Sequence, residues 1–145
     1  MSLKKQLEDL EEQYNTTLDE TLDLVSIEHV KIKDALINQL PLELSWNSMV
    51  SKGKSLKDRI EYEMDSAYSA AMEKELRHSH RSTSISEARE FAKCCPIYKE
   101  HRLLYLDADA LLGDIKAAME TVTSRRYVLN NLTNLVVSSS ESHLL

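Results

Sequence analysis

The segment "LYLDADALLGDIKAAMETV", Leu104 to Val122, carries the clearest structural pattern in the chain. Its apolar residues recur at steps of three and four, a spacing that places them on one face of an α-helix. That face holds Leu104, Ala108, Leu111, Ile115, Ala118 and Val122, and it is widened by Tyr105, Leu112 and Met119. The segment predicts a long amphipathic helix. Gly113 weakens such a helix by about 1 kcal/mol relative to Ala, so we interpret it as a point where another helix approaches closely.

The composition agrees with this helical interpretation. The chain has 145 residues but only two Gly and two Pro. Sheet proteins need turn residues at short intervals, so this scarcity predicts an all-α fold of few long helices. The predicted apolar faces are wider than one short chain easily covers, and self-association is therefore expected.

Further helices are predicted before and after the central loop region. The N-terminal segment has one apolar seam that ends where residues 15–17 break the pattern; its members are Leu3, Leu7, Leu10 and Tyr14. A second helix is predicted from Ser26, its N-cap, to Leu40, because Pro41 cannot continue a helix freely. Residues 41–54 are predicted to be a loop or a short helical piece.

A third helix is predicted to begin near Ser55, which with Asp58 forms a weak capping box. Its apolar stripe is Leu56, Ile60, Met64, Ala67 and Ala71. After a polar connector, residues 85–95 predict a short helix, and Pro96 suits the first turn of the next one. Beyond Ser124 the last helix either continues or starts anew, and a loose tail follows it.

Positive charge is concentrated in one place in a chain of net charge −6. Lys52, Lys54, Lys57 and Arg59 lie close together in the sequence. They form either a solvated helix start or a phosphate-contact site, with Tyr62 and Tyr68 as surfaces on which unpaired bases stack. On a helix, Lys57 and Arg59 are about 200° apart, so one helix does not direct both at a single phosphate.

Catalytic and metal-binding signals are weak. The sequence has no glycine-rich phosphate loop and no nucleophile motif, so neither an enzyme nor a cofactor is expected. His78 and His80 have a spacing that suits a shared zinc ion, but the adjacent Cys94 and Cys95 fit no usual zinc spacing. A solvated loop without metal is the expectation, and a zinc-dependent regulator is a third hypothesis. No stretch is apolar enough to span a membrane and no signal peptide opens the chain, so a cytoplasmic protein is expected.

Two motifs together resemble the UvsY family of recombination mediators from T-even-type phages. "LKDRIEY", Leu56 to Tyr62, is similar to that family's Leu-Lys-x-Arg-aliphatic-acidic-Tyr segment. "ADALLGDIKAAMETVTSRRYVLNNL", residues 108–132, is similar to its closing helical stretch, with the Ser-Arg-x-aromatic step at residues 124–127. The resemblance covers roughly residues 45–135.

The resemblance implies a non-enzymatic homo-oligomer, a ring of hexamer or heptamer size, that binds single-stranded DNA. Such mediators act in DNA recombination and repair by helping a recombinase replace the single-strand-binding protein on DNA. A phage-encoded member would act in the host cell cytoplasm, with no membrane partner. The expected DNA-binding residues are Lys52, Lys54, Lys57, Arg59, Tyr62, Arg125 and Arg126. The expected oligomerisation residues are Leu104, Ala108, Leu111, Ile115, Ala118 and Val122.

The resulting hypothesis divides the chain into four regions. An acidic N-terminal helical arm spans 1–25, a DNA-binding helical region with the basic cluster spans 26–95, oligomerisation helices span 96–137, and a flexible tail spans 138–145. Because the chain is acidic, repetition of a small basic patch around a ring would supply the DNA affinity. The alternative is a helical structural or adaptor protein that self-assembles and binds only protein partners.

Overall fold

The computed structural model describes residues 1–25, 31–78 and 83–144, and the described residues are arranged in four α-helices with no strand. The helices are α1 (Leu3–Val25), α2 (Ile32–His78), α3 (Ile85–Lys93) and α4 (Pro96–Leu144). The all-α prediction is confirmed. The described helices include none with the combined length and apolar composition that a membrane span requires.

α2 is one continuous helix, although the sequence predicts one helix that ends at Pro41 and another that begins near Ser55. Both Pro41 and Gly53 lie inside it. A proline in a helix interior costs about 3 kcal/mol. The residues that follow it, Leu42, Trp46 and Met49, are buried on one face, and each such side chain contributes about 1.5–3 kcal/mol. Tertiary packing therefore outweighs the local signal, and the prediction of a break is wrong; the predicted N-cap Ser26 lies outside the described residues.

α1 also continues where the sequence predicts a break at residues 15–17. Its buried face extends to Thr21, whose hydroxyl group donates a hydrogen bond to the Thr17 carbonyl oxygen at 2.6 Å. The same hydroxyl oxygen accepts a hydrogen bond from Trp46 Nε1 at 3.0 Å. The hydrogen bond from Trp46 of α2 thus satisfies Thr21, a polar residue on the inner face of α1. The spacing of apolar residues alone does not identify Thr21 as part of that face.

The short helix α3 agrees with the prediction for residues 85–95, and Pro96 is the first residue of α4, as expected. Ser84 is the N-cap of α3: its hydroxyl oxygen accepts a hydrogen bond from the Glu87 N–H, while the Glu87 carboxylate accepts one from the Ser84 N–H. This reciprocal pair is a capping box. Ala88 and Ala92 are fully buried and attach the helix to its neighbours.

α4 is a single helix past Ser124, and it also includes residues 138–144, which the sequence predicts to be a tail. The helix therefore extends into the predicted tail, and the flexibility predicted for that segment stays a prediction. The serines of that segment have only a slightly unfavourable helix propensity, well under 1 kcal/mol each, so a helix already formed extends through them at low cost.

The chain forms two compact units that do not follow the four predicted regions. The first comprises residues 1–9 and 52–112, and the second comprises residues 10–51 and 113–145. The first unit has Leu7, Leu56, Ile60 and Ala108 in its core. The second unit is centred on the fully buried Trp46, whose ring meets that of Tyr14 edge-on at 5.9 Å between centroids.

Candidate nucleic-acid interface

Five of the predicted DNA-binding residues lie on α2 within the first unit. Four of them are exposed: Lys52, Lys54, Arg59 and Tyr62. Lys57 is half-buried and points towards α4 instead. The buried stripe of Leu56 and Ile60 lies between these positions, as the helical spacing predicts. The structure therefore separates Lys57 from the other four residues.

Lys57 is held within the fold by an ion pair. Its Nζ donates a hydrogen bond to Asp109 Oδ1 at 2.7 Å and lies 5.3 Å from the centre of the Tyr105 ring. The hydrogen bond to Asp109 raises the pKa of Lys57 above its ordinary value, although partial desolvation opposes the shift. The lysine side of the pair therefore stays charged as the pH rises through the ordinary lysine pKa, and its contribution to stability is lost only as the pH rises through the raised value. With its charge compensated by Asp109, Lys57 is a poor phosphate ligand.

Arg59 lies on the other side of α2, along a groove of about 760 Å³ in the first unit. Its Nε donates a long hydrogen bond of 3.4 Å to the Ser55 carbonyl oxygen. Among the described residues it has no ion pair, so its terminal nitrogens remain able to bind an anion. Tyr62, 71% exposed, lies one turn further along the same groove.

His101 of α4 also lines this groove and was not identified from the sequence. Its Nδ1 lies 2.8 Å from the Ile97 carbonyl oxygen, so a proton on Nδ1 makes this contact a hydrogen bond and leaves Nε2 as an acceptor. Arg59, Tyr62 and His101 together supply one cation and two rings. No sequence motif links His101 to Arg59, because they are 42 positions apart and meet only through tertiary packing.

Acidic residues limit the positive character of the groove. Asp58 and Glu63 line it beside Arg59, together with residues 1–3 of the N-terminal segment. Carboxylates repel phosphate groups, so a single copy of this groove has only a weak attraction for a polyanion. The groove is best described as a mixed-charge surface with stacking rings, and not as a basic patch.

Arg125, a predicted DNA contact, is buried in the second unit. Its two terminal nitrogens donate hydrogen bonds of 3.0 Å to Gln39 Oε1 and to the Leu24 carbonyl oxygen in the last turn of α1. Gln39 Nε2 in turn donates to the Val122 carbonyl oxygen at 2.7 Å. Burial lowers the pKa of Arg125, but a guanidinium group remains protonated at neutral pH. Arg125 therefore joins α1, α2 and α4, and it is not available to DNA.

Arg126 is half-exposed and already paired. Its guanidinium group lies 3.4 Å from the buried Glu43 carboxylate and 5.5 Å from the centre of the Tyr127 ring. Like Lys57, it compensates a carboxylate of the same chain. The sequence pattern of two adjacent arginines does not distinguish an internal role from DNA contact, because both place a cation on a helix.

The predicted oligomerisation residues lie mainly in the interior of the chain. Four of the six are buried, namely Ala108, Leu111, Ile115 and Val122, and the other two, Leu104 and Ala118, are half-buried. The same spacing describes the inner face of a packed helix, so these side chains contact other helices of the same chain. Their assignment to an oligomer interface stays a prediction.

The predicted histidine and cysteine residues form no metal-binding cluster in the parts of the chain that the structure describes. His78 is the last residue of α2, and His80 lies outside the described residues. Cys94 and Cys95 have free thiols, one exposed and one half-buried, at the end of α3.

We compared the chain with protein-family models, curated proteins and solved structures, and none of them matches it. The resemblance to the UvsY family therefore rests on the two motifs, Leu56 to Tyr62 and residues 108–132.

Proposed function

We propose that the protein is a UvsY-like recombination mediator: a homo-oligomer that binds single-stranded DNA and helps a phage recombinase replace the single-strand-binding protein. The two sequence motifs support the family assignment. The observation that carries DNA binding is the groove in which exposed Arg59 lies beside the rings of Tyr62 and His101.

The chemistry of this groove suits an unpaired strand better than a duplex. An arginine fork binds phosphate oxygens, and exposed rings stack on bases with about 1–3 kcal/mol per base, whatever the sequence. Bases in a duplex are already stacked on each other and are not accessible to Tyr62. The expected binding therefore distinguishes single strands from duplexes and depends little on the base sequence.

Low affinity per protomer is part of the proposal. One arginine, opposed by Asp58 and Glu63, holds a strand weakly, but several linked sites bind one strand at high effective concentration. Each contact then releases readily. A mediator that must give up its strand to a recombinase needs such reversible binding.

The test separates Arg59 from Lys57. Binding of a fluorescent oligonucleotide is measured by anisotropy over a salt series, for wild type, Arg59→Ala and Lys57→Ala. Arg59→Ala should weaken binding and reduce the log–log salt slope by about 0.7 per lost contact. Lys57→Ala should lower the stability of the fold, since it leaves Asp109 without its partner, while the slope stays near that of wild type.

Two controls make the result specific. Arg89→Ala removes an exposed arginine of α3 outside the groove and should leave binding unchanged. Tyr62→Phe should retain affinity, whereas Tyr62→Ala should lose it, because stacking needs the ring and not the hydroxyl group. Equal effects of Arg59→Ala and Arg89→Ala, or binding that ignores salt, would rule out this groove as the DNA site.

A second candidate function, a helical adaptor that binds only proteins, is favoured by the exposed apolar side chains of the second unit. Ile37, Leu40 and Leu44 are among them. This candidate predicts an assembled protein with no salt-sensitive binding of oligonucleotides, so the same anisotropy series distinguishes the two functions.

A further inference from the structure

In the second unit, the exposed face of α2, which lies opposite its buried face, is apolar. Ile37, Leu40 and Leu44 are spaced at i, i+3 and i+7, and they are exposed by 61%, 62% and 59%. The buried residues of the same segment, such as Leu42 and Trp46, lie on the other side of the helix. An ordinary solvated helix carries charged residues on its outer face. This outer face needs another explanation.

The surface is also depleted of charge. Residues 35–51 include one charged residue, Glu43, which is buried and paired with Arg126. Residues 127–139 of α4, in the same unit, include none. Charged residues make up 29% of the whole chain, so two segments of this length would ordinarily carry several. Depletion of charge with exposed aliphatic side chains is typical of the centre of a protein–protein interface.

The shape of the surface combines a ridge with a groove. Ile37 lines an apolar groove of about 360 Å³ between the start of α2 and the end of α4, with Val136 and Val137 on its other side and Lys33 also in its lining. Leu40 and Leu44 continue from Ile37 as a ridge along α2. A ridge next to a groove on one face is self-complementary under a two-fold axis, because the ridge of each copy then meets the groove of the other.

The charge distribution indicates the partner. A partner for this face must itself present an apolar surface with little charge, because a polyanion gains nothing from an uncharged face. The chain carries such a surface in this same face, and two copies with a net charge of −6 repel each other least where their charge-depleted segments meet. We propose that the face defined by Ile37, Leu40, Leu44, Val136 and Val137 is a homotypic interface, and that its partner is a second copy of this chain.

This interface is independent of the groove around Arg59, which belongs to the first unit. It is also a different surface from the predicted interface on the inner face of α4. In the assembled protein, it would bring protomers together through apolar contact, and the DNA groove would be repeated as a consequence.

The test is the mass of the full chain by sedimentation equilibrium at several concentrations. Leu40→Glu/Leu44→Glu places two carboxylates in the ridge of each copy and should raise the dissociation constant at least about tenfold, which corresponds to 1.4 kcal/mol. The mass should shift towards the 16.6 kDa of one chain. Because both positions are exposed, the far-ultraviolet circular dichroism and the urea midpoint should stay close to those of wild type.

The matched control is Leu103→Glu/Leu106→Glu, which charges two exposed leucines of α4 in the first unit. Its mass should remain that of wild type. A wild-type protein that is monomeric at high concentration would overturn the proposal and leave the face to a different protein. An unchanged mass for the α2 variant, or an equal loss of assembly in the control, would overturn it as well. This inference rests on the homo-oligomer of the proposed function, which a monomeric wild type would also contradict. Unchanged oligonucleotide binding in Arg59→Ala would rule out the DNA groove and leave this interface intact, whereas an unchanged mass for Leu40→Glu/Leu44→Glu would overturn the interface and leave the groove intact.

Discussion

Arg125 of α4 is a cation buried beside neutral hydrogen-bond acceptors of α1 and α2. Its removal leaves Gln39 Oε1 and the Leu24 carbonyl oxygen without their donor, at about 1–3 kcal/mol for each unsatisfied group. Relief of the buried charge offsets part of that cost. We expect Arg125→Ala to reduce the free energy of unfolding in urea by about 2–4 kcal/mol.

The control for this prediction is Arg77→Ala, which removes an arginine that is 73% exposed and paired with Glu73 one turn earlier. It should change stability by no more than about 0.5 kcal/mol. A stable Arg125→Ala protein that had lost oligonucleotide binding would contradict the internal role and restore Arg125 as a DNA contact.

The residues predicted to bind DNA fall into two groups, those with a partner inside the fold and those that face a groove. Lys57, Arg125 and Arg126 each have an internal partner contributed by another helix, whereas Arg59 and Tyr62 face a groove. Residue type and helical spacing identify all five as candidates. Only the positions of Asp109, Gln39 and Glu43 decide which cations are already occupied.

At the scale of the helix, Gly113 lies inside the continuous helix α4, and its neighbours give no packing reason for a glycine. A Cβ atom added at this position meets no heavy atom within 4 Å, so the sequence-based interpretation of a close helix approach is wrong. Glycine costs a helix interior about 1 kcal/mol relative to alanine, mainly in backbone entropy. We therefore expect Gly113→Ala to raise the free energy of unfolding by about 0.5–1 kcal/mol.

The reverse change at a nearby exposed position is the matched control. Ala117→Gly, one turn further along α4, should lower the free energy of unfolding by a similar amount. Both are measured by urea unfolding followed by circular dichroism. A destabilised Gly113→Ala protein would show that a neighbour does approach Gly113.

α2 shows how a helix overrides its local signals. Pro41 and Gly53 both favour a break, yet the segment between them buries Leu42, Trp46 and Met49. The burial of these side chains is a gain of several kcal/mol that exists only when α1 and α4 are in place. A short-range sequence pattern does not include this burial free energy, so the sequence predicts two shorter helices where the structure has one of 47 residues.

At the scale of the whole molecule, the two proposals predict opposite responses to salt. Apolar contact between copies is opposed by their net negative charge, which salt screens, so assembly should be unchanged or slightly stronger as salt rises. Oligonucleotide binding should weaken between about 50 and 200 mM salt as counterions compete for the strand.

The measurement is a pair of titrations in the same buffers, with mass by light scattering and binding by anisotropy. Glu43, the one charged residue of segment 35–51, is paired with Arg126 of the same chain. Dissociation of the protein by salt would therefore contradict an apolar interface. Stronger oligonucleotide binding in high salt would contradict phosphate contact by Arg59.

The two compact units also explain why a division along the chain order is not informative here. α1, α2 and α4 each contribute residues to both units. Composition and charge change along the sequence, but a bundle joins segments that are far apart in it. The predicted regions 1–25, 26–95 and 96–137 therefore do not correspond to structural units.

The sequence by itself determined the helical class, the short helix ending before Pro96, and the apolar faces through Leu56, Ile60, Ile115 and Val122. These follow from periodicity and turn-residue scarcity, which are local properties. Tertiary structure alone decided that Pro41 lies inside a helix, that Lys57 and Arg125 are internal, and that His101 joins Arg59 in a groove. It also decided which apolar face remains uncovered. A spacing of three and four residues defines an apolar face, but only the packed neighbours determine whether that face is buried within the chain or exposed to a second copy.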